Sequence, residues 1–104
     1  MELIQIYRSN LKLTDDIKEH IRQELKNLEK FRDHRVAPRI KVEVGRTTAH
    51  HKKGKIYRTE INMPAFGRML RAEETAENIH TAINIVKEEI ERQIRKFRGK
   101  MAGR

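Results

Sequence analysis

Several residue types that define whole classes of protein are absent or rare in this chain of 104 residues. It has no cysteine, so disulfides, thiolate metal sites and a cysteine nucleophile are all excluded. Five glycines and two prolines form neither a low-complexity linker nor a glycine-rich phosphate loop. No apolar run approaches the ~20 residues of a membrane span, and the first ten residues do not resemble a signal peptide. We expect a cytoplasmic protein with no membrane partner.

Acidic residues are outnumbered by basic ones. Lysine and arginine total 24 against 15 aspartates and glutamates, which gives a formal net charge of +9 and a pI near 10.2. An excess of this size attracts polyanions and favours nucleic acid as a partner. Only two tyrosines and three phenylalanines are present, and the phenylalanines are expected to be mostly buried. Contacts to RNA would then be mainly to phosphates and to shape.

Side-chain combinations typical of catalysis or metal binding are scarce. Ser9 is the only serine, and His50 and His51 lie in a basic segment with no carboxylate or thiol beside them. Glu73 and Glu74 are adjacent, but neighbouring residues of a strand point to opposite faces. We therefore expect no enzymatic activity, no metal, no cofactor and no small-molecule substrate.

Alternation and capping residues indicate a strand followed by a helix in the first third. Residues 3–7 alternate as a strand does. Thr14 is a good N-cap, and Asp15 and Asp16 would suit the first turn of a helix. Residues 34–38 are expected to end that helix. Its predicted buried stripe consists of Ile17, Ile21, Leu25, Leu28 and Phe31.

The middle of the chain changes to a period of two, which indicates strands. Residues 40–44 alternate, and the polar, basic segment 46–55 is typical of an exposed hairpin loop. Residues 56–63 resume the alternation. A turn at 64–67 then leads to a short strand at 68–73. The sequence thus predicts three consecutive strands here.

The last third is the strongest pattern and predicts an amphipathic helix over residues 77–100, capped near Thr75. The resulting order is β-α-β-β-β-α, an α+β fold in which a four-stranded sheet carries both helices on one face and leaves the other wet. We expect one domain over residues 1–98 and a short basic tail at 99–104. The apolar stripe of the last helix comprises Ile79, Ile83, Val86, Ile90, Ile94 and Phe97.

Basic residues recur on the sides of both predicted helices away from the core. After Glu91 the chain has no acidic residue. Taken singly, such faces are more often plain solvated surface. Two of them in one layer would combine into a patch able to bind nucleic acid. The candidates are Arg22, Lys26 and Lys30 on the first helix and Arg92, Arg95 and Lys96 on the second.

Three segments of the last third resemble the signature of the ribosome hibernation promoting factor family, also called ribosome-associated inhibitors, in its short form. They are residues 70–74 (LRAEE), 78–84 (NIHTAIN) and 90–97 (IERQIRKF), and the first half agrees with the family opening at 13–15 and 28–31. The chain departs from the usual pattern in three places: Asn78-Ile79-His80 stands where the family usually has Asp-Met-Tyr, Asn84 stands where an aspartate is usual, and Glu89 stands where a lysine is common. The resemblance leads us to expect the short form of the family, without the additional C-terminal domain of long members.

The resemblance implies a hibernation factor that binds the small ribosomal subunit in the mRNA and tRNA channel, at the A and P sites. It would inhibit translation in stress or stationary phase through contacts to ribosomal RNA. The implied phosphate contacts are the six helical candidates together with Arg71, Lys52 and Lys53. An alternative is a regulatory module acting on duplex RNA or DNA, or on a sigma factor. Open sheet edges would also allow weak homo-oligomerisation.

Overall fold

A computed structural model describes residues 4–32, 39–47 and 54–102 of the chain. Its elements follow the predicted order, with one 3₁₀ helix (η1) added after the first α-helix. They are β1 (Ile4–Ser9), α1 (Asp15–Leu25), η1 (Lys26–Phe31), β2 (Ile40–Arg46), β3 (Tyr57–Ala65), β4 (Arg68–Ala76) and α2 (Ile79–Ala102).

The four strands form one mixed sheet in the order β1-β2-β3-β4. β1 pairs with β2 in parallel, and the other two pairs are antiparallel. A parallel pair needs a crossover connection, which α1 and η1 supply. The predicted α+β architecture is confirmed.

Both helices contribute to a single hydrophobic core on one face of the sheet. Ile21 and Leu25 of α1, Ile61 of β3, and Ile83 and Ile90 of α2 have no exposed surface, and they belong to one cluster of buried side chains. The predicted stripes of both helices are therefore the buried ones, although Phe31 and Phe97 at their ends are only partly buried.

The first helix begins as predicted but does not continue as an α-helix. The Thr14 hydroxyl accepts a hydrogen bond from the Ile17 amide at 3.2 Å. The α-helix ends at Leu25, and residues 26–31 form the 3₁₀ helix η1. The prediction of one helix through Phe31 was wrong. Because a 3₁₀ helix has 3.0 residues per turn, Lys30, four residues after Lys26, does not continue the row formed by Arg22 and Lys26.

The hairpin between β3 and β4 is tighter than the sequence suggested. Pro64 and Ala65 belong to β3 and pair with β4, so the turn consists of Phe66 and Gly67 alone. Both have positive φ, 56° and 73°, which is the conformation that a two-residue hairpin favours because it matches the strand twist. The predicted four-residue turn was wrong in its first half.

The second helix begins later than predicted. β4 continues to Ala76, because Thr75 and Ala76 find ladder partners in Arg58 and Tyr57. The N-cap of α2 is then Asn78, whose side-chain oxygen accepts from the Thr81 amide at 2.8 Å. The predicted cap at Thr75 was wrong.

Helix α2 continues past the expected domain boundary. It runs to Ala102, so residues 99–102 extend the helix, and the boundary at residue 98 stays a prediction. Helices long and apolar enough to cross a membrane are not found in the described part of the chain.

Candidate nucleic-acid interface

The sheet face opposite the helices is balanced in charge. Strand alternation and register place three cations and three carboxylates there, and the neutral residues of this face add no charge. Its charged residues are Lys41, Glu43, Arg58, Glu60, Arg71 and Glu73. This face therefore provides no concentration of positive charge for binding a polyanion.

Ion pairs hold most of these charges together. Arg58 contacts Glu43 at 2.7 Å, Glu60 at 2.8 Å and also Glu73. Burial by itself would lower the pKa of Arg58, but its hydrogen bonds to Glu43, Glu73 and Glu60 raise it. Burial works to raise the pKa of Glu60, yet hydrogen bonds from Arg58 and Asn62 and the charge of Arg71 lower it. This cluster holds β2, β3 and β4 together.

Arg71, one of the predicted RNA contacts, belongs to this cluster. Its Nε lies 2.6 Å from Glu60, although its side chain is 66% exposed. The register of β4 turns it away from the helices. The structure therefore does not bring Arg71 together with the helical candidates.

Polar side chains join α1, along its whole length, to the first half of α2. In the three contacts given below, the residue numbers rise together on both helices, which shows that α1 and α2 run parallel, side by side. The His20 and His80 rings also meet edge to face, with centroids 4.6 Å apart. The contacts are Asp16 with His80 at 2.9 Å, His20 with Asn84 at 2.8 Å, and Glu24 with Lys87 at 3.6 Å.

Two departures from the family pattern are explained by these contacts. His80 and Asn84 both bond across to α1, so their roles in this chain include fixing one helix against the other. His20 and His80 are both half-buried, at the edge between the two helices. Groups of three or more possible metal ligands are not found among the described residues.

Beyond Lys87 a cavity of about 180 Å³ opens between η1 and the second half of α2. We call it the helix groove. Leu28 and Ile94 line it and are only 2% and 3% exposed, so they form its floor. Lys30, Arg95 and Arg98 also line it and are exposed, so they form its rim. The groove thus has an apolar floor and a cationic rim.

The three phenylalanines lie around this end of the molecule. The Arg98 guanidinium and the Lys30 ammonium each lie 5.1 Å from the centre of the Phe31 ring. Phe66 and Phe97 have centroids 6.0 Å apart, and Arg68 lies 4.4 Å from the Phe97 ring. All three rings are half-buried and pack against the hydrophobic core, so they are less buried than the sequence predicted.

The helical candidates differ in how free their charges are. Arg92 forms an ion pair with Glu89 one turn earlier. Within residues 4–32, 39–47 and 54–102, no carboxylate lies within ion-pair distance of Lys26, Arg95 or Lys96. These last three are exposed and are the most available for phosphate.

The remaining candidates are not gathered at the groove. Arg22 follows His20 by two residues, about 200° around α1, so it lies on the side away from α2. Lys52 and Lys53 lie outside the described residues. Arg68 and Arg98 were not among the candidates, although Arg98 belongs to the run without acidic residues after Glu91. That run was the signal that could have identified Arg98.

Known proteins match nearly the whole chain. A family model described as "Sigma 54 modulation protein / S30EA ribosomal protein" matches residues 4–102. The ribosome hibernation promotion factor of Lactococcus lactis is 33% identical over 94 residues, covering 88% of this chain and 47% of that protein. The factor of the same name from Deinococcus radiodurans is 26% identical over 98 residues, covering 94% and 50%. The chain spans about half the length of these curated relatives.

Two solved structures share the fold. The N-terminal domain of Protein Y from Thermus thermophilus matches with a TM-score of 0.67 and 25% identity, covering 93% of this chain and 99% of that one. A ribosomal subunit interface protein from Coxiella burnetii matches with a TM-score of 0.70, covering 92% and 97%. The second is 13% identical and supports the fold alone.

Proposed function

The chain belongs to the Sigma 54 modulation protein / S30EA ribosomal protein family, and we propose that it acts as a ribosome hibernation factor in the cytoplasm. It binds the small ribosomal subunit in the mRNA and tRNA channel, at the A and P sites, and inhibits translation in stress or stationary phase. Relatives named ribosome hibernation promotion factor support this assignment. Its action is binding rather than catalysis.

The observation that carries the proposal is the uneven placement of charge. The open sheet face is neutral, whereas five exposed cations without carboxylate partners among the described residues lie on η1 and the second half of α2. They are Lys26, Lys30, Arg95, Lys96 and Arg98. A rigid body with this cationic end can release counterions from RNA phosphates without reading base sequence. Arg22 and Arg92 are secondary contacts in this proposal.

Sedimentation with purified small subunits and inhibition of cell-free translation test the proposal. The variant with Arg92, Arg95 and Lys96 all changed to Glu should lose both activities. A matched control changes the exposed cations Arg8, Lys12 and Lys41 to Glu, which alters net charge equally on other parts of the surface. Circular dichroism establishes that both variants fold.

The two variants separate location from total charge. Retained sedimentation and inhibition by the control, with loss by the helical variant, support contacts through α2. Full inhibition by the helical variant would refute those contacts. Failure of the unaltered chain to sediment with small subunits would refute the proposed function itself.

A second candidate follows from the first half of the family description, which names sigma 54 modulation. In that case the chain is a regulatory module that binds a sigma factor, or duplex nucleic acid, through the same cationic end. Fractions from stationary-phase cells distinguish the two. Recovery with small subunits supports hibernation, and recovery free of ribosomes with affinity for bare duplex or sigma factor supports regulation.

A further inference from the structure

We propose that the helix groove holds a single unstacked RNA base that bears an exocyclic amino group, with the neighbouring phosphates on Lys30, Arg95 and Arg98. The inference deepens the proposed function and rests on it, because the base would belong to ribosomal RNA. It adds a base-selective contact to an interface otherwise based on charge.

The size of the groove limits its occupant. Pockets for drug-sized ligands measure ~300–1,000 Å³, and this one measures about 180 Å³. It is too small for a folded peptide segment or a whole nucleotide cofactor. A single planar ring system, with its sugar and phosphate left at the rim, is the kind of group that such a volume suits.

The lining offers surfaces on which a base stacks. Leu28 and Ile94 form the apolar floor of the groove. The half-buried Phe31 ring also lines the groove, and the Arg98 guanidinium lies 5.1 Å from the centre of that ring. Unstacked RNA bases are commonly held on aromatic rings and on guanidinium planes. Phe31 and Arg98 provide one of each, and because Lys30 and Arg98 both lie over the Phe31 ring, a base that stacks on this ring displaces one of these two side chains.

Glu91 distinguishes a base from a phosphate and one base from another. It lines the groove beside Asn27, and Lys87 Nζ reaches its Oε1 at 3.4 Å; no other donor to this carboxylate is found in the described part of the chain. A carboxylate repels a phosphate but accepts a hydrogen bond from an amino group, as with N4 of cytosine. Uracil presents a carbonyl oxygen at the equivalent position, so the groove should favour cytosine over uracil.

Oligonucleotides of about eight cytidines or eight uridines, within the range of single-strand site sizes, provide the test. Fluorescence anisotropy of labelled strands measures affinity for the intact chain. We expect cytidine strands to bind roughly fivefold tighter or more, since a good base contact discriminates by about 1–3 kcal/mol. Glu91→Gln should remove this preference, because a carboxamide can donate as well as accept.

Glu88→Gln is the matched control, since Glu88 is an exposed acid on the same helix and does not line the groove. This substitution removes one negative charge, as Glu91→Gln does, and should leave the preference for cytidine strands unchanged. Arg98→Ala should weaken binding of both strands. Equal affinity of the unaltered chain for cytidine and uridine strands would overturn the proposal, as would a preference that survives Glu91→Gln.

The sedimentation assay keeps this inference separate from the proposed function. A chain that sediments with small subunits but shows no cytidine preference refutes only the base-binding groove. A chain that prefers cytidine strands but does not sediment retains the groove as an RNA site and refutes the hibernation assignment.

Discussion

Neutralising two cations at the end of α2 should reduce the salt dependence of RNA binding by a calculable amount. Arg95 and Lys96 are exposed, and no carboxylate lies within ion-pair distance of either among residues 4–32, 39–47 and 54–102. Each cation that replaces a counterion contributes about 0.7–0.9 to the slope of log K against log salt. The double variant Arg95→Gln, Lys96→Gln should therefore lose about 1.4–1.8 of that slope.

The five cations on η1 and the second half of α2 determine the slope of log K against log salt for the unaltered chain. If Lys26, Lys30, Arg95, Lys96 and Arg98 each contact one phosphate, they contribute a slope of about −3.5 to −4.5. Binding to small subunits or single-stranded RNA, measured over a series of potassium chloride concentrations, gives the slope directly. The ratio of the affinity of the unaltered chain to that of the double variant should be largest at low salt.

The control for this prediction is Lys12→Gln, Lys41→Gln. Both residues are exposed, Lys12 lies between β1 and α1, and Lys41 lies on the neutral sheet face. The variant has the same net charge as the helical one. Equal loss of slope in the two variants would show that total charge, rather than the placement of cations on α2, governs binding, and the argument would be wrong.

Three further predictions concern single side chains. Glu89→Lys should tighten RNA binding and steepen its salt dependence, because it adds a cation and frees Arg92 from its ion pair. Because the pKa of Glu60 is lowered in the fold from its ordinary 4.5, its contribution to stability is present above that pH and is lost as pH falls below it. The melting temperature of the unaltered chain, measured over a series of pH values, should fall as pH decreases below this value. The fall should be smaller in the variant Glu60→Gln. Asn78→Ala should lower the free energy of unfolding by about 1 kcal/mol as a lost N-cap, and Thr75→Ala, at the cap position expected from sequence, should lower it less in urea titrations.

The periodicity of the sequence determined the order and type of the elements. The apolar stripe of α2 and the alternation of β2 and β3 depend on neighbours three, four or two residues away, so local sequence is enough to identify them. The net charge of +9 is likewise independent of the fold. These features were sufficient to predict the four-stranded sheet with two helices on one face, which the structure confirms, whereas the polyanionic partner stays a prediction.

Element ends depended on contacts between distant segments. The change from α1 to η1 at Lys26 places Leu28 against the core, and no residue near Leu25 marks it in the sequence. β4 passes Thr75 because β3 offers it ladder partners. Strong capping residues were present at Thr75 and at Asn78, and only the strand pairing decided between them.

Which cations are exposed and lack a carboxylate partner among the described residues was decided by the tertiary structure alone. The strand register brings Arg71 to Glu60, while the parallel docking of α1 on α2 places Lys30, Arg95 and Arg98 around one groove. The sequence determined how much positive charge the chain carries and that much of it follows Glu91. Its distribution into a neutral sheet face and a cationic helical end arises from long-range pairing, since ion pairs form only between groups that the fold brings within a few ångströms.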